Sequence, residues 1–482
     1  MTASAAALSS ASGTPHPELA RLFHEQRAAF EGERYPDRAI RLDRLRRLLD
    51  LTTAHELAWV DAISRDFGHR SPHETRIAEC YIVAASIRQA MRRLELWMRP
   101  QRVAAPLHLL PARAMLLRQP VGVVGIISPW NYPFQLALAP VAAAIAAGNR
   151  VLLKPSEMTP HLSALLAAKV HEAFREDEFT VIQGDAAVGQ AFSALPFDHL
   201  FFTGSTAVGR MIARAAAENL TPVTLELGGK SPALFDTDAN FDVVAPRLVA
   251  GKLLNAGQTC IAPDYALVHA AQRDRLVEAL RAAVARLYPQ VLGNPDYSTI
   301  ISERHYRRLL ALMDDARGKG ATIVMLGAAA PDDATRTLPP TLIVNADARM
   351  AVMQEEIFGP LLPIETYERL DDAIGRINQR PRPLAFYYFG SNRSHLDRVL
   401  QQTIAGGVTV NDTMWHFAHE DLPFGGVGAS GTGAYHGEYG FLTFSQEKPV
   451  FVQRRLALTR FLQPPYGRAF EKVLWLLRKL NT

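Results

Sequence analysis

The feature that most constrains this chain is an alternation of apolar strands and helices that begins near residue 119. Strands that are apolar on both faces and are joined by helices form a parallel sheet that is covered on both sides. The sequence therefore predicts an α/β protein with a doubly wound nucleotide-binding domain. The predicted strands are 121–127, 150–154, 179–183, 198–203 and 222–227, and the predicted helices are 134–147, 161–174 and 207–218.

A second series of strand-like segments follows and predicts a second α/β domain. Two proline-punctuated stretches between residues 100 and 120 favour an extended arm before the first parallel strand. Residues 18–99 have apolar positions at helical spacing and predict helices. The strands of the second series are 232–236, 264–269, 321–326, 361–367, 385–390 and 407–411.

Composition excludes several classes of protein. The 482 residues, of which 48% are apolar and 21% charged, have enough material for two or three globular domains. Two cysteines, Cys80 and Cys260, are too few for a disulfide framework or a structural zinc site, so we expect no metal centre. The 52 basic and 48 acidic residues are spread along the chain without a long basic run, which argues against nucleic-acid binding.

The two ends of the chain carry no strong targeting signal. The segment MTASAAALSSASGTPHPE lacks the basic and leucine-rich regions of a secretory signal, so we expect a disordered tail at residues 1–17. The longest nearly apolar stretch, 136–148, is too short to cross a bilayer, and we expect a cytoplasmic protein. The C-terminal segment 456–482 ends in an amphipathic basic helix, which either packs on its own fold or makes weak contact with an anionic membrane surface.

Cys260 stands in the segment NAGQTCIAPDY, where a predicted helix ends at Asn255, Ala256 and Gly257. A thiol at a turn, among glycine and small polar residues, is open to approach by a substrate. The alternative is a buried structural cysteine, which is the role that we assign to Cys80 in its helical segment.

Glu226 and Asn131 are the polar candidates near strand ends. Glu226 ends an apolar strand in TLELGGKSP, where a carboxylate is costly unless it is paired or has a role. The carboxyl edge of a parallel sheet faces the crevice in which α/β folds bind ligands, and a solvent-exposed glutamate is the alternative. Asn131 lies between Pro129 and Pro133, which stiffen the turn and hold its amide as an oxyanion donor. An asparagine that only favours the turn geometry is the alternative.

A phosphate-binding segment is predicted at FTGSTAVG, directly after a strand and at the start of a helix. Free backbone N–H groups and the helix dipole favour a phosphate there, and an ordinary helix N-cap is the alternative. Lys154 and Glu157 stand at another strand end, where they suit ribose hydroxyls or form a solvated loop. The residues of the phosphate-binding segment are Gly204, Ser205, Thr206, Ala207, Val208 and Gly209.

The order of these signals, together with Glu356 and Phe358 in EEIFGP, resembles the aldehyde dehydrogenase superfamily from about residue 18 to 450. The most specific set is ELGGKSP, a cysteine 34 residues after Glu226 in GQTC, and EEIFGP. FTGSTAVG, GQTCIAPDY, VNDT and LPFGGVGASGTGAYHG resemble the class 3 enzymes. HEDLPFGGVG and KPVF resemble the bacterial coniferyl aldehyde dehydrogenases. Gly440 departs from the serine of many class 3 relatives, away from the motifs that carry chemistry.

The resemblance implies a mechanism in which Cys260 attacks the aldehyde, Asn131 holds the oxyanion and Glu226 activates water. Relatives that pass the acyl group to coenzyme A typically lack this glutamate, so its presence implies hydrolysis. Residues 204–209 would meet the pyrophosphate of the cofactor, Lys154 and Glu157 its adenosine ribose, and Glu356 and Phe358 its nicotinamide half. The Glu157 carboxylate should repel a 2′-phosphate, which favours NAD, and NADP stays possible.

The resemblance also implies the domain plan and a homodimer. We expect a dinucleotide-binding domain at 18–100 and 119–228 and a catalytic domain at 229–425. We expect an oligomerisation arm at 101–118 and 426–455.

The expected substrate is a small-molecule aldehyde, coniferaldehyde or a related aromatic enal. Tyr132, Trp415 and His416 are predicted to line its pocket, and His416 to bond a phenolic or methoxy oxygen. The alternative for Trp415 is core packing. The alternative functions are a general or fatty aldehyde dehydrogenase at a membrane surface, and a non-catalytic descendant. The last should have lost at least one of Cys260, Glu226 and Asn131, and all three are present.

Overall fold

The computed structural model describes residues 16–327, 329–455 and 457–480. It confirms the predicted α/β fold class, with two largely parallel sheets and a small antiparallel one. Most of the predicted tail 1–17 lies outside the described residues, and the first helix begins at Pro17. No helix in the described ranges is long and apolar enough to span a membrane. The chain starts with α1 (Pro17–Gly32), α2 (Arg38–Ala54), α3 (Glu56–Phe67), α4 (Pro72–Thr75), a π-helix (Arg76–Tyr81) and α5 (Ile82–Met98).

The first large sheet follows an arm made of β1 (Gln101–Val103), a 3₁₀ turn (Leu107–Leu109) and β2 (Arg113–Pro120). Its parallel strands pair in the order β7-β6-β3-β4-β5, so the chain runs outward from β3 and then returns to its other side. Ligands bind at such a switch point, beyond the carboxyl ends of the strands. The elements are β3 (Val123–Ile127), α6 (Gln135–Ala147), β4 (Arg150–Lys154), α7 (Pro160–Ala173), β5 (Phe179–Val181), α8 (Ala186–Ser193), β6 (His199–Thr203), α9 (Thr206–Ala217) and β7 (Val223–Glu226).

The second large sheet has the strand order β10-β11-β12-β9-β8-β13-β14, and every neighbouring pair except β10–β11 is parallel. Its six predicted strands are present, whereas β11 was not predicted. The elements are β8 (Pro232–Phe235), α10 (Phe241–Leu253), a 3₁₀ turn (Leu254–Gly257), β9 (Tyr265–His269), a 3₁₀ turn (Ala270–Gln272), α11 (Arg273–Leu287), α12 (Glu303–Gly318), β10 (Thr322–Met325), β11 (Thr341–Val344), α13 (Ala351–Gln354), β12 (Leu361–Tyr367), α14 (Leu370–Asn378), β13 (Ala385–Phe389), α15 (Arg393–Gln402), β14 (Gly407–Val410) and α16 (Trp415–Ala418).

The last part of the chain returns to the arm. Its elements are β15 (Gly431–Thr432), α17 (Gly437–Thr443), β16 (Ser445–Val452), a 3₁₀ turn (Leu458–Leu462) and α18 (Arg468–Leu480). All eight residues of β16 pair antiparallel with β2, and β1 lies on the opposite edge of β2. β15 pairs with β7 instead. The segment 426–455, which the sequence places wholly in the arm, therefore divides between two sheets.

Candidate active site

The first sheet collects the predicted site residues at its carboxyl edge. Glu226 is the last residue of β7 and Lys154 the last of β4, while Asn131 follows β3. Gly204 follows β6, and its N–H donates to the Glu226 carbonyl at 3.0 Å. Because the strands are parallel, residues that are distant in sequence meet at one edge.

Cys260 lies beyond the end of α10, on a turn that the chain enters through two left-handed residues, Asn255 (φ 52°) and Ala256 (φ 51°). Hydrogen bonds fix both sides of this turn. The Gln258 side-chain amide donates to the carbonyls of Asn255 and Thr299, each at 3.0 Å, and the Tyr387 hydroxyl donates to the Ile261 carbonyl. The turn therefore holds Cys260, a half-buried residue, on a rigid backbone.

The loop after β3 meets this turn directly. The Asn131 side-chain amide donates to the Gln258 carbonyl at 3.1 Å, and the hydroxyls of Tyr132 and Thr259 are 2.7 Å apart. Asn131 is buried, so its amide has a restricted choice of partners. The structure thus brings the predicted oxyanion donor and the predicted nucleophile together, from two different sheets.

Burial dominates the electrostatics of the site. It raises the pKa of the Cys260 thiol to about 12, and the nearby Glu356 and Glu226 carboxyls add to this effect. Burial also raises the pKa of Glu226 well above its ordinary value. Glu226 is 2% exposed, and neither of its carboxyl oxygens has a hydrogen-bond partner among the described residues. A buried carboxyl of this kind beside a thiol is typical of an acid–base catalyst.

We expect the rate of Cys260 alkylation by iodoacetamide to rise with pH, because only the thiolate reacts. A thiol whose pKa lies far above neutrality gains thiolate about tenfold per pH unit, so the rate should follow that slope from roughly pH 7 to 9. Mass spectrometry of the alkylated peptides measures it. Cys80, which is 3% exposed, serves as the internal control and should stay unmodified. A rate that reaches a plateau below about pH 8 would contradict the raised pKa.

The segment 204–209 leads into the N-terminus of α9. Ser205 caps the helix, since its hydroxyl accepts the Val208 N–H at 3.4 Å, and Ala207 lies in the first turn. The Thr206 hydroxyl donates to the Ala429 carbonyl at 3.0 Å. A Cβ on Gly209 would come within 2.7 Å of Leu227, so glycine allows the close approach of α9 to the sheet. This helix terminus fits the phosphates of a dinucleotide.

Lys154 and Glu157 form an ion pair at the end of β4, with 2.7 Å between Nζ and Oε2. Burial alone would raise the pKa of Glu157, but the Lys154 ammonium outweighs it and holds that pKa below its ordinary range. Lys154 is buried and Glu157 is exposed. A fixed carboxylate at this edge fits the hydroxyls of a ribose.

Glu356 and Phe358 come from the loop between α13 and β12, and Glu356 packs beside the end of β7. A Cβ on Gly228 would approach both carboxyl oxygens of Glu356 to 2.4 Å, so the carboxyl packs on glycine backbone. Burial, with Asp264 nearby, raises the pKa of Glu356 to about 8, and one of its buried oxygens has no partner within the described ranges. Phe358 has a left-handed backbone (φ 55°) and its ring meets Trp130 edge-on at 5.4 Å. An available carboxyl beside a fixed ring fits the nicotinamide half of a dinucleotide.

A cavity of about 750 Å³ leads to Cys260, and Glu226 lies on its wall. Two of its aromatic residues, Trp415 and Tyr81, are more than half exposed at its opening. Trp415 therefore does not pack in the core. The six aromatic side chains that line the cavity are Tyr81, Tyr132, Trp415, Phe417, Phe424 and Tyr435.

The structure does not support a pocket role for His416. Its ring lies behind the cavity wall, where Nδ1 is 2.7 Å from the Thr409 hydroxyl and the ring stacks on Phe424 at 6.2 Å. Burial lowers the pKa of His416 to about 4. Trp415 and His416 are consecutive residues of α16, and consecutive side chains of a helix point about 100° apart, so only one of the two faces the cavity.

Sequence reasoning missed Ile77 and Tyr81 on the cavity wall. Both lie in the π-helix, and a π-helix within an α-helical run is frequently a functional signal. Its hydrogen-bond register is set by tertiary packing, so helical spacing alone did not reveal it.

Comparison with known proteins agrees with this geometry. A family model described as the aldehyde dehydrogenase family matches residues 8–450. The chain belongs to the aldehyde dehydrogenase family. It is an oxidoreductase that oxidises aldehydes, which agrees with the predicted enzyme and not with the alternative of a non-catalytic descendant.

Three relatives show how far the likeness extends. A probable coniferyl aldehyde dehydrogenase of Pseudomonas aeruginosa is 50% identical over 460 residues, which is 95% of this chain and 96% of the relative. AldH of Staphylococcus aureus, solved in a substrate-bound state, has a TM-score of 0.91 and 40% identity, covering 95% of this chain and 99% of its own. An aldehyde dehydrogenase of Mycobacterium tuberculosis complexed with NAD⁺ has a TM-score of 0.82 and 27% identity, covering 91% of each chain.

Proposed function

We propose that this enzyme oxidises coniferaldehyde, or a closely related aromatic enal, to the carboxylic acid, with ferulate as the product from coniferaldehyde. The observation that carries the proposal is that six aromatic side chains line the same cavity as Cys260. Offset or edge contacts with a planar conjugated ring contribute about 1 kcal/mol each beyond area burial. The coniferyl aldehyde dehydrogenase name of a relative at 50% identity supports the same substrate class.

The proposed chemistry begins at Cys260. The thiol first loses its proton to water, the thiolate then attacks the aldehyde carbon, a carbon–sulfur bond forms, and the carbonyl electron pair moves onto oxygen. The Asn131 amide and the Cys260 backbone N–H stabilise that oxyanion, and each such donor lowers the barrier by about 3 kcal/mol. A bound nicotinamide supplies the acceptor for the hydride that leaves the same carbon.

The second half of the reaction releases the acid. Loss of the hydride leaves a thioester on Cys260, and Glu226 takes a proton from water as the oxygen of that water adds to the acyl carbon. The carbon–sulfur bond then breaks, with the electron pair returning to sulfur. Glu226 supports this role, because its carboxyl is buried near the thiol and has no hydrogen-bond partner in the described ranges.

We propose NAD as the preferred cofactor. Residues 204–209 would hold its pyrophosphate, Lys154 and Glu157 its adenosine ribose, and Glu356 and Phe358 its nicotinamide half. The Glu157 carboxylate, whose pKa lies below its ordinary range, repels a 2′-phosphate, so NADP is expected to bind more weakly.

We expect coniferaldehyde or cinnamaldehyde to exceed hexanal and octanal in kcat/KM by at least about tenfold, which is on the order of 1.4 kcal/mol. Alkyl chains bury comparable apolar area but gain no stacking. Steady-state NADH absorbance with each aldehyde measures the ratio. Trp415→Leu keeps an apolar side chain at the opening and should reduce the ratio, whereas His416→Leu should leave it nearly unchanged. A higher kcat/KM for octanal or decanal would overturn the aromatic proposal.

The second candidate function is a general or fatty aldehyde dehydrogenase at a membrane surface. α18 favours it, because Trp475 and Leu476 are about half exposed on a helix that also carries Lys472. Such a helix can lie on an anionic lipid surface. The alkyl aldehydes in the substrate comparison decide between the two candidates.

We also propose a homodimer that forms through the arm sheet. β1 is an edge strand whose three residues are all exposed, and an exposed edge accepts a further strand.

A further inference from the structure

Two buried carboxylates, Glu74 and Glu79, come from one short stretch of α4 and the π-helix and reach different loops of the active site. Glu79 is fully buried and Glu74 is 8% exposed. Arg70, just before α4, is fully buried beside them. None of the three lines the substrate cavity. We call these three residues the clamp.

Glu79 holds the loop that carries Asn131. One carboxyl oxygen accepts the N–H groups of Phe134 and Gln135 at 2.7 and 3.1 Å, at the start of α6. Its other oxygen accepts Arg70 Nη1 at 2.7 Å. The same nitrogen of Arg70 donates to the Asn131 carbonyl at 3.0 Å.

Arg70 is also held by aromatic faces. Its guanidinium lies over the rings of Phe67 and Tyr132, at 5.0 and 4.7 Å from their centroids. Contacts of a buried cation with ring faces are favourable and directional. The backbone of residues 131–135 is therefore tied to the clamp by three hydrogen bonds and one ring contact.

Glu74 holds the turn that carries Cys260. Its Oε2 accepts the Asn255 N–H at 3.0 Å and the Ser298 hydroxyl at 2.8 Å. The Asn255 side-chain amide then donates to the carbonyls of Asn131 and Gln258, at 2.9 and 3.2 Å. Asn255 therefore joins the two loops, and Glu74 fixes Asn255.

Stability alone is a weak reason to keep such a cluster. Replacing a buried ion pair by apolar residues is often neutral or stabilising, whereas removing one partner is costly. A buried pair is best explained where it specifies one arrangement of the chain. Here the arrangement that it specifies is the contact between the Asn131 loop and the Cys260 turn.

We propose that Arg70, Glu74 and Glu79 are positioning residues that align the Asn131 amide with the Cys260 turn across the boundary between the two large sheets. The inference rests on the proposed roles of Asn131 and Cys260. The clamp acts through these two residues and has no contact with the cavity, so its loss should slow the step in which the oxyanion forms. It should leave the affinity for NAD nearly unchanged, because Lys154, Glu157 and residues 204–209, which would hold the adenosine half, lie at or after the ends of other strands.

The test compares matched substitutions in the full-length enzyme. Glu79→Gln keeps the shape but places an amide against Arg70, and Glu74→Leu removes the acceptor for Asn255. Glu74→Gln retains an acceptor for the Asn255 N–H, because the oxygen of a side-chain amide can replace the carboxyl oxygen. The control is Glu178→Gln, a buried carboxyl that pairs with Arg44 and Arg47 at 3.1 and 3.0 Å, away from the cavity.

Rapid mixing with aldehyde and NAD gives the rate constant of the first NADH turnover, and calorimetry gives the melting temperature. We expect Glu79→Gln and Glu74→Leu to lower that rate constant at least about tenfold, with the KM for NAD within about twofold of wild type. Glu74→Gln should retain most of the wild-type rate constant. Glu178→Gln should lower the melting temperature by a similar amount but keep the wild-type rate constant.

First-turnover rates within about twofold of wild type in Glu79→Gln and Glu74→Leu would overturn the clamp. An equal loss of rate in Glu178→Gln would overturn it too, because the effect would then follow stability. Glu79→Gln is isosteric and decides the test if Glu74→Leu does not fold. A wild-type enzyme that forms no NADH with any aldehyde would instead contradict the proposed function.

Discussion

Replacing Cys260 with alanine is expected to reduce NADH formation with every aldehyde to below about one thousandth of the wild-type rate, because no carbon–sulfur bond can form. The fold should tolerate the change, since the turn is held by Gln258 and Tyr387 and not by the thiol. Steady-state absorbance at the NADH band measures the loss, and the melting temperature verifies the fold.

Cys80→Ala is the matched control for this variant. Cys80 is buried in the π-helix and does not line the cavity, so its removal should leave turnover largely intact. The nucleophile assignment would be wrong if Cys260→Ala retained more than a few per cent of the activity while Cys80→Ala lost it.

Replacing Glu226 with glutamine is expected to separate the two halves of the reaction. Acylation of Cys260 should proceed, but water should be activated slowly, so at most one equivalent of NADH should form rapidly per active subunit. Rapid-mixing absorbance measures this burst and the slow phase that follows. Glu420→Gln is the control, because Glu420 lines the same cavity and burial raises its pKa to about 7. The Glu420→Gln enzyme should continue to turn over after the first equivalent of NADH.

The same variant carries a pH signature. Burial raises the pKa of Glu226 well above its ordinary value, so the basic form that hydrolysis needs accumulates as the pH rises. The wild-type hydrolysis rate should therefore increase with pH above neutrality, and Glu226→Gln should lack that limb. Undiminished steady-state turnover in Glu226→Gln would remove Glu226 from the base role.

The main sheets could be predicted because their strands are apolar on both faces. β4, for example, has the predicted bounds, and all five of its residues are buried. β11 (Thr341–Val344) was missed because it directly follows two prolines, which are typical of a loop. β15 has two residues and exists only because β7 offers an edge, which no local pattern records.

The candidate site also has residues that the sequence predicts and residues that it does not. Asn131, Glu226 and Cys260 could be predicted because each stands at a strand end or a turn within a specific motif. The cavity wall could not, because Tyr81 lies in a helical stretch whose inward face depends on tertiary packing. His416 is the opposite case, because it was predicted to line the pocket beside Trp415 and instead lies behind the cavity wall.

The covalent state of Cys260 during turnover tests the proposed mechanism most directly. Glu226→Gln should be mixed with coniferaldehyde and NAD, quenched in acid after the burst, and analysed by intact and peptide mass spectrometry. The proposed mechanism predicts a mass increase of one feruloyl group per active subunit, located on the peptide that contains Cys260. An NADH burst without that adduct, or with the adduct on another residue, would contradict it.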